Sequence, residues 1–141
     1  MNHDRYDDAY LRDILTRTKT IALVGASPRP DRPSHEVMAY LLARGYRVIP
    51  VNPGQAGGTI LGQTCVASLA EIKEPIDMVD MFRAADAAPG VAEEAIAAGA
   101  KTLWMQLGIR NDEAAAAAEA AGLDVVMDRC PAIELPRLGM D

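Results

Sequence analysis

Aromatic side chains are scarce in this chain. They make up 4% of its 141 residues, with one Trp and one Phe. Positive charge is short as well: 14 Lys and Arg stand against 20 Asp and Glu, for a net charge of -6. An acidic, aromatic-poor chain lacks the basic footprint that binding to nucleic acid needs. No apolar run approaches the length of a membrane span. The polar, acidic opening MNHDRYDDAYLRD is neither a signal nor a transit peptide, so a cytoplasmic protein is expected. There are two cysteines, Cys65 and Cys130, and two histidines, His3 and His35. They form no CxxC pair and no cluster at metal-ligand spacing, so no metal site is expected and nothing requires a disulfide.

What is present is a globular composition, 50% hydrophobic and dominated by aliphatic residues and alanine. The length suits one domain with a real core. Residues 7–18 carry a helical pattern through Tyr10, Leu11, Ile14 and Leu15. Thr20 to Val24 is a continuous apolar run of the kind found in strands buried on both faces. Gly25 to Ser34 is a loop with three prolines, and Ser34 is read as the N-cap of a helix ended by Gly45. Tyr46 to Val51 is a second strand, stopped by Asn52-Pro53-Gly54. Residues 54–64 hold four glycines and read as loop, and Cys65-Val66 reads as a short strand. Ile76 to Phe82, Lys101 to Met105 and Leu123 to Met127 read as further strands. Helices are expected at Asp86–Ala98, with Pro89 in its first turn, and from Asn111 or Asp112 through the alanine run to Gly122. The tail from Asp128 to Arg137 is rich in turn formers. Strands alternating with helices imply a single-domain α/β fold, a doubly wound Rossmann-like parallel sheet of about five main strands plus one short one.

In such a sheet ligands bind beyond the carboxyl ends of the strands. The loop after the first strand is suited to phosphate. Gly25 permits a sharp turn, Ala26 and Ser27 are small, and a helix N-terminus follows. Between Lys19 and His35 three cations (Lys19, Arg29, Arg32) face one anion (Asp31), so this acidic chain is locally positive there. Arg29 and Arg32 offer charge-assisted bonds. A NAD(P)-type oxidoreductase is the commonest alternative. Its G-x-G-x-x-G turn and the acid after the second strand are both missing, since the chain reads Gly25-Ala-Ser-Pro-Arg-Pro and Val51-Asn52-Pro53. The Gly-Lys-Ser/Thr of a Walker A loop is absent too. Asp77, Asp80 and Asp128 show no pairing that demands acid–base work, and turn and cap roles suffice for them. Cys130, beside Arg129, is the one weak catalytic candidate, as a reactive or redox thiol.

Five segments in order carry a family resemblance. They are Val24-Gly25-Ala26-Ser27-Pro28, Val51-Asn52-Pro53-Gly54, Val79-Asp80-Met81-Phe82-Arg83, Trp104-Met105-Gln106-Leu107-Gly108-Ile109 and Met127-Asp128-Arg129-Cys130-Pro131. Over about residues 10–138 the chain resembles the small single-domain CoA-binding proteins. It is similar also to the CoA-binding domains of the succinyl-CoA synthetase α subunit and of NDP-forming acyl-CoA synthetases. The resemblance implies coenzyme A or an acyl-CoA as ligand. Gly25, Ala26 and Ser27 would contact phosphate, with Arg29 and Ser34 beside it. Asn52, Pro53 and Gly54 would face the ribose and its phosphate. Phe82, Arg83 and Ala84 would border the adenine, and Gly108 and Ile109 would let the ligand pass close to the backbone. Where the synthetases carry a lysine after the second strand, this chain has Gln55. The synthetases also need a phosphohistidine domain and an ATP-grasp partner, for which 141 residues leave no room. The expectation is therefore a non-catalytic binding module or sensor rather than an enzyme, alone, as a homodimer or with a protein partner. The alternative is a CoA-linked thiol protein using Cys130.

Overall fold

A computed structural model describes residues 1–140. Five strands form one parallel sheet: β1 (Thr20–Val24), β2 (Arg47–Val51), β5 (Met78–Met81), β6 (Thr102–Met105) and β7 (Asp124–Val126), in the order β2-β1-β5-β6-β7. A small antiparallel hairpin, β3 (Thr59–Ile60) and β4 (Gln63–Thr64), stands apart. The glycine-rich stretch read as loop therefore contains this hairpin. Cys65-Val66 is not a strand in its own right but a single parallel bridge from Val66 to Val51.

Helices cover both faces. α1 (Asp8–Arg17), α2 (Pro33–Ala43) and α5 (Pro131–Arg137) pack on one, through Leu11, Ile14, Val37, Met38, Leu41 and Leu135 against Ile21, Leu23, Met78 and Trp104. α3 (Ala88–Ala97) and α4 (Asp112–Ala120) cover the other, through Val91, Ala92, Ala95, Ala114 and Ala118 against Val24, Val79, Met81 and Leu103. Alanine on these two helices lets them lie close to the strands. The doubly wound α/β class expected from the alternating pattern is the one observed. Among the described residues no helix is long and apolar enough to cross a membrane. No group of three or more His, Cys, Asp or Glu among them is placed to hold a metal.

Several local expectations are corrected. α2 starts at Pro33, not after a Ser34 cap. Arg32, extended at φ -90° and ψ 139°, is the capping residue, as expected for a residue that precedes proline. Ser34 is instead buried in the first turn. The tail is helical, because Pro131 sits in the first turn of α5, where a missing N–H costs nothing. Asn111 caps α4, its side chain accepting from Ala114 N at 2.9 Å.

The N-terminal segment is tied down. His3 is buried, with its ring at 2.8 Å from Glu119 and 2.6 Å from the Tyr6 hydroxyl. Tyr6 Oη accepts from Met127 N at 2.8 Å. Tyr10 Oη donates to Val125 O at 2.8 Å and accepts from Val125 N at 3.1 Å. The two hydroxyls thus satisfy backbone groups of Val125 in β7 and of Met127 just after it. Tyr10→Phe is expected to cost about 1–3 kcal/mol, because two backbone groups lose their partner. Urea unfolding checks this, and an unchanged midpoint would show that water replaces the hydroxyl at no cost.

Candidate functional site

The strand order reverses between β1 and β5, so the crevice of the sheet opens above their carboxyl ends. Two adjoining clefts lie there. One, of about 330 Å³, is lined by Gly25, Ala26, Ser27, Arg29, Arg32, Pro33, Ser34, Asn52 and Phe82. The other, of about 460 Å³, is lined by Val24, Gly25, Val51, Asn52, Pro53, Gly54, Ala67, Ser68, Leu69, Arg83 and Glu94. Gly25 and Asn52 border both.

Gly25 is held at φ +88°, where an L side chain is strained. A Cβ here would lie 3.3 Å from Phe82 C, Phe82 Cβ and Arg83 Cγ. The glycine therefore lets the turn after β1 press against the segment after β5. The N–H groups of Gly25 and Ala26 donate to Val51 O, at 3.0 and 3.3 Å. Those of Ser27 and Ser34, two residues that line the first cleft, have no partner among the described residues. Ser27 Oγ accepts from Arg29 N at 3.1 Å and shapes the turn. Asn52 acts as a staple between loops. Its amide donates to Ala26 O at 2.8 Å, and its side-chain oxygen accepts from Gly54 N at 2.8 Å.

The charges favour an anion. Arg29 pairs with Asp31 at 3.2 Å, both well exposed. Arg32 and Arg83 have no ion-pair partner among the described residues. Glu94, on α3, is the one acid lining either cleft.

Of the residues singled out from sequence, the fold gathers Gly25, Ala26, Ser27, Arg29, Ser34, Asn52, Pro53, Gly54, Phe82 and Arg83 around the two clefts. Ala84, Gly108 and Ile109 line neither. Ala84 leads into a 3-10 turn at Ala85–Ala87. Gly108 N donates to Asp128 Oδ1 at 2.7 Å, and Ile109 O accepts from Asp128 N, which knits the loops after β6 and β7 together. The segment Ala67–Leu69 is an addition that the sequence does not announce. It reaches the cleft because Val66 bridges to Val51 and accepts from Asn52 N at 2.9 Å. The apolar pair Cys65-Val66 after the glycines is the only sign of it.

Cys130 and Cys65 are both free and buried. Burial pushes the Cys130 thiol up, against the opposing pull of Gln106 and the first N–H groups of α5. It is held as a thiol at neutral pH and lines neither cleft. Asp77 has the turn role expected, accepting from Lys19 N and Thr20 N at 3.0 and 2.9 Å. Asp80 does not: its carboxyl is fully buried, and neither oxygen has a partner among the described residues.

Known proteins resemble this chain in sequence, in structure or in both. The YneT protein of Bacillus subtilis (strain 168) is 45% identical over 122 residues, covering 86% of this chain and 89% of its own. A Thermus thermophilus protein of known structure is 44% identical, superposes with a TM-score of 0.90, and matches 94% of this chain and 99% of its own. An acetyl-coenzyme A synthetase from Ca. Korarchaeum cryptofilum shares the fold at a TM-score of 0.68 and 22% identity, over 80% of this chain and 26% of the synthetase. Residues 19–136 match the family described as the CoA binding domain, a span that includes both clefts and all five strands, and the chain belongs to that family.

Proposed function

We propose that the chain binds coenzyme A or an acyl-CoA across the two clefts, as a binding module or sensor rather than as a catalyst. The observation that carries this reading is the pair of adjoining clefts at the switch point, with Arg29 and Arg32 in one and Arg83 in the other. Coenzyme A carries a pyrophosphate and a separate 3′-phosphate, so its charge is divided as these arginines are. Ser27 N–H, Ser34 N–H and Arg32 would hold the pyrophosphate at the start of α2. Arg83 would meet the second phosphate. Gly25 supports the fit, because a Cβ there would force the segment carrying Arg83 to shift.

A dinucleotide fits less well. The Asn52 side chain after β2 is committed to Ala26 O and Gly54 N, and no acid replaces it to receive the ribose hydroxyls. The Cys130 thiol, buried, pushed up by that burial and lining neither cleft, favours binding over chemistry.

Thermal-shift measurements with CoA, acetyl-CoA, NAD, NADP and ATP test the reading. A ligand at 100 times its dissociation constant adds about 2.7 kcal/mol. CoA species are expected to shift the protein and the dinucleotides are not; a shift with NADP and none with CoA would overturn it. Arg32→Gln and Arg83→Gln are each expected to weaken CoA binding by about 1.5–3 kcal/mol, the worth of a hydrogen bond to a charged group. Unchanged calorimetric affinity in both variants would remove the arginines from the site.

A further inference from the structure

Asp80 is the third residue of β5, the central strand of the sheet. It lies between Leu23 of β1 and Trp104 of β6. Both neighbours point into the core beneath α1, α2 and α5, and neither titrates. α2 brings Val37, Met38 and the half-buried Tyr40 to that core, and the half-buried Tyr10 and Tyr46 pack against it too, while the first-turn residues of α2, His35 and Glu36, lie outside it. On α5, Glu134 is engaged by Arg137 at 2.8 Å. α1 contributes Leu11, Ile14 and Leu15, and its acids Asp8 and Asp13 are bound to Arg137 and Arg17. Gln106, whose N–H donates to Met81 O at 3.1 Å, is buried with its Oε1 also unpartnered among the described residues. The Asp80 charge acts on the buried Cys130 thiol, which it pushes up.

A carboxylate in these surroundings has no cation, no donor and no water-exposed edge to stabilise it. Burial alone raises its pKa to about 8. The strand that carries it leads straight to the clefts. Phe82 N donates to Val24 O at 2.9 Å, immediately before Gly25, and Phe82 and Arg83 line the two clefts.

We propose that Asp80 is a proton switch beneath the ligand site: neutral, it permits phosphate binding, and ionised, it sets a negative charge under the loops that receive the phosphates and weakens it. This rests on the CoA reading above. The linkage is reciprocal, so a bound phosphate ligand holds the proton on the Asp80 carboxyl. Binding near the pKa then draws one proton, in part, from solvent.

Carbon-detected NMR of the ligand-free wild-type protein gives the first test. One aspartate carboxyl is expected to titrate in the neutral-to-alkaline range, and its signal is expected to be missing from Asp80→Asn. If every aspartate titrates at acidic pH, the switch is overturned. Calorimetry with acetyl-CoA, whose sulfur carries no titrating proton, gives the second. From about pH 6.5 to about pH 9, wild-type affinity is expected to fall about fivefold or more beyond any fall in Asp80→Asn. Buffers of different ionisation enthalpy are expected to reveal proton uptake in the wild type alone. Parallel pH profiles in the two proteins overturn the switch and leave the CoA reading intact. No binding to wild type at the lower pH overturns the CoA reading itself, whatever the NMR titration shows. Should Asp80→Asn not fold, the wild-type proton count decides, because uptake near pH 8 supports the switch and its absence overturns it.

Discussion

Asp80→Asn is expected to be more stable than the wild-type protein at pH 7 by roughly 3–5 kcal/mol, with the two proteins nearly equal at about pH 4. The sign follows from proton counting. In the unfolded chain an aspartate ionises near its ordinary value, about 3.9. In the folded protein burial holds Asp80 neutral up to about 8. Between those limits the folded state keeps a proton that the unfolded state has lost. Stability therefore falls by about 1.4 kcal/mol for each pH unit across that window and levels off above it. Asparagine has nearly the same shape and no proton to lose, so its profile lacks this slope. Urea unfolding at intervals from pH 4 to pH 9 measures the difference. Profiles that run parallel would mean that Asp80 ionises in the folded protein as easily as in the unfolded one.

The second large effect is at Gly25. Gly25→Val is expected to abolish CoA binding and to destabilise the fold by about 1–3 kcal/mol. Two costs combine there. The backbone sits at φ +88°, where a β-branched residue is strained, and the new Cβ meets Phe82 backbone and side-chain carbon at 3.3 Å. The Phe82 backbone cannot simply swing aside, because its N–H is bonded to Val24 O. Relief must come from the Phe82–Arg83 segment as a whole, and that moves the lining of both clefts. Gly45→Ala separates the two costs. Gly45 has φ +95°, but a Cβ added to it would find nothing within 4 Å, so the substitution brings backbone strain with no contact. That variant is expected to lose stability and to bind normally. Calorimetry on both, after circular dichroism has established folding, is the measurement. A folded Gly25→Val protein with wild-type affinity would take the turn after β1 out of the site.

The sheet was legible in the sequence because parallel strands are buried on both faces and read as unbroken apolar runs. Thr20–Val24 was legible to the residue, and the other main strands to within about one or two at each end. The positions of Gly25, Asn52 and Phe82 at the crevice followed from strand ends alone. Shorter features were hidden. The hairpin at Thr59–Thr64 has two-residue strands within a glycine-rich stretch, too short for alternation to show. The prolines of Pro131–Arg137 resemble a turn-rich tail, yet Pro131 occupies a first-turn position that tolerates it. Ser34 reads as a cap because serine is a common one, but proline at position 33 requires an extended residue before it and so moves the start to Arg32.

Asp80 was hidden for a deeper reason. A polar residue near a strand end ordinarily marks the approach to solvent. Only the order β2-β1-β5-β6-β7 makes β5 central and encloses position 80 between Leu23 and Trp104. That order depends on which way each crossover turns, and no single residue records it. The same holds for Ala67–Leu69, which enters the site through one bridge to an edge strand.

The hydroxyls of Tyr6 and Tyr10 bear on how this protein keeps from polymerising. A sheet whose last strand offers bare N–H and C=O groups is a template on which another chain can add itself. In β7 and the residue that follows it, such groups are already taken by side chains from the first ten residues. Trimming that segment in an expression clone would leave a sticky strand, and aggregation rather than loss of the ligand site is the failure to expect.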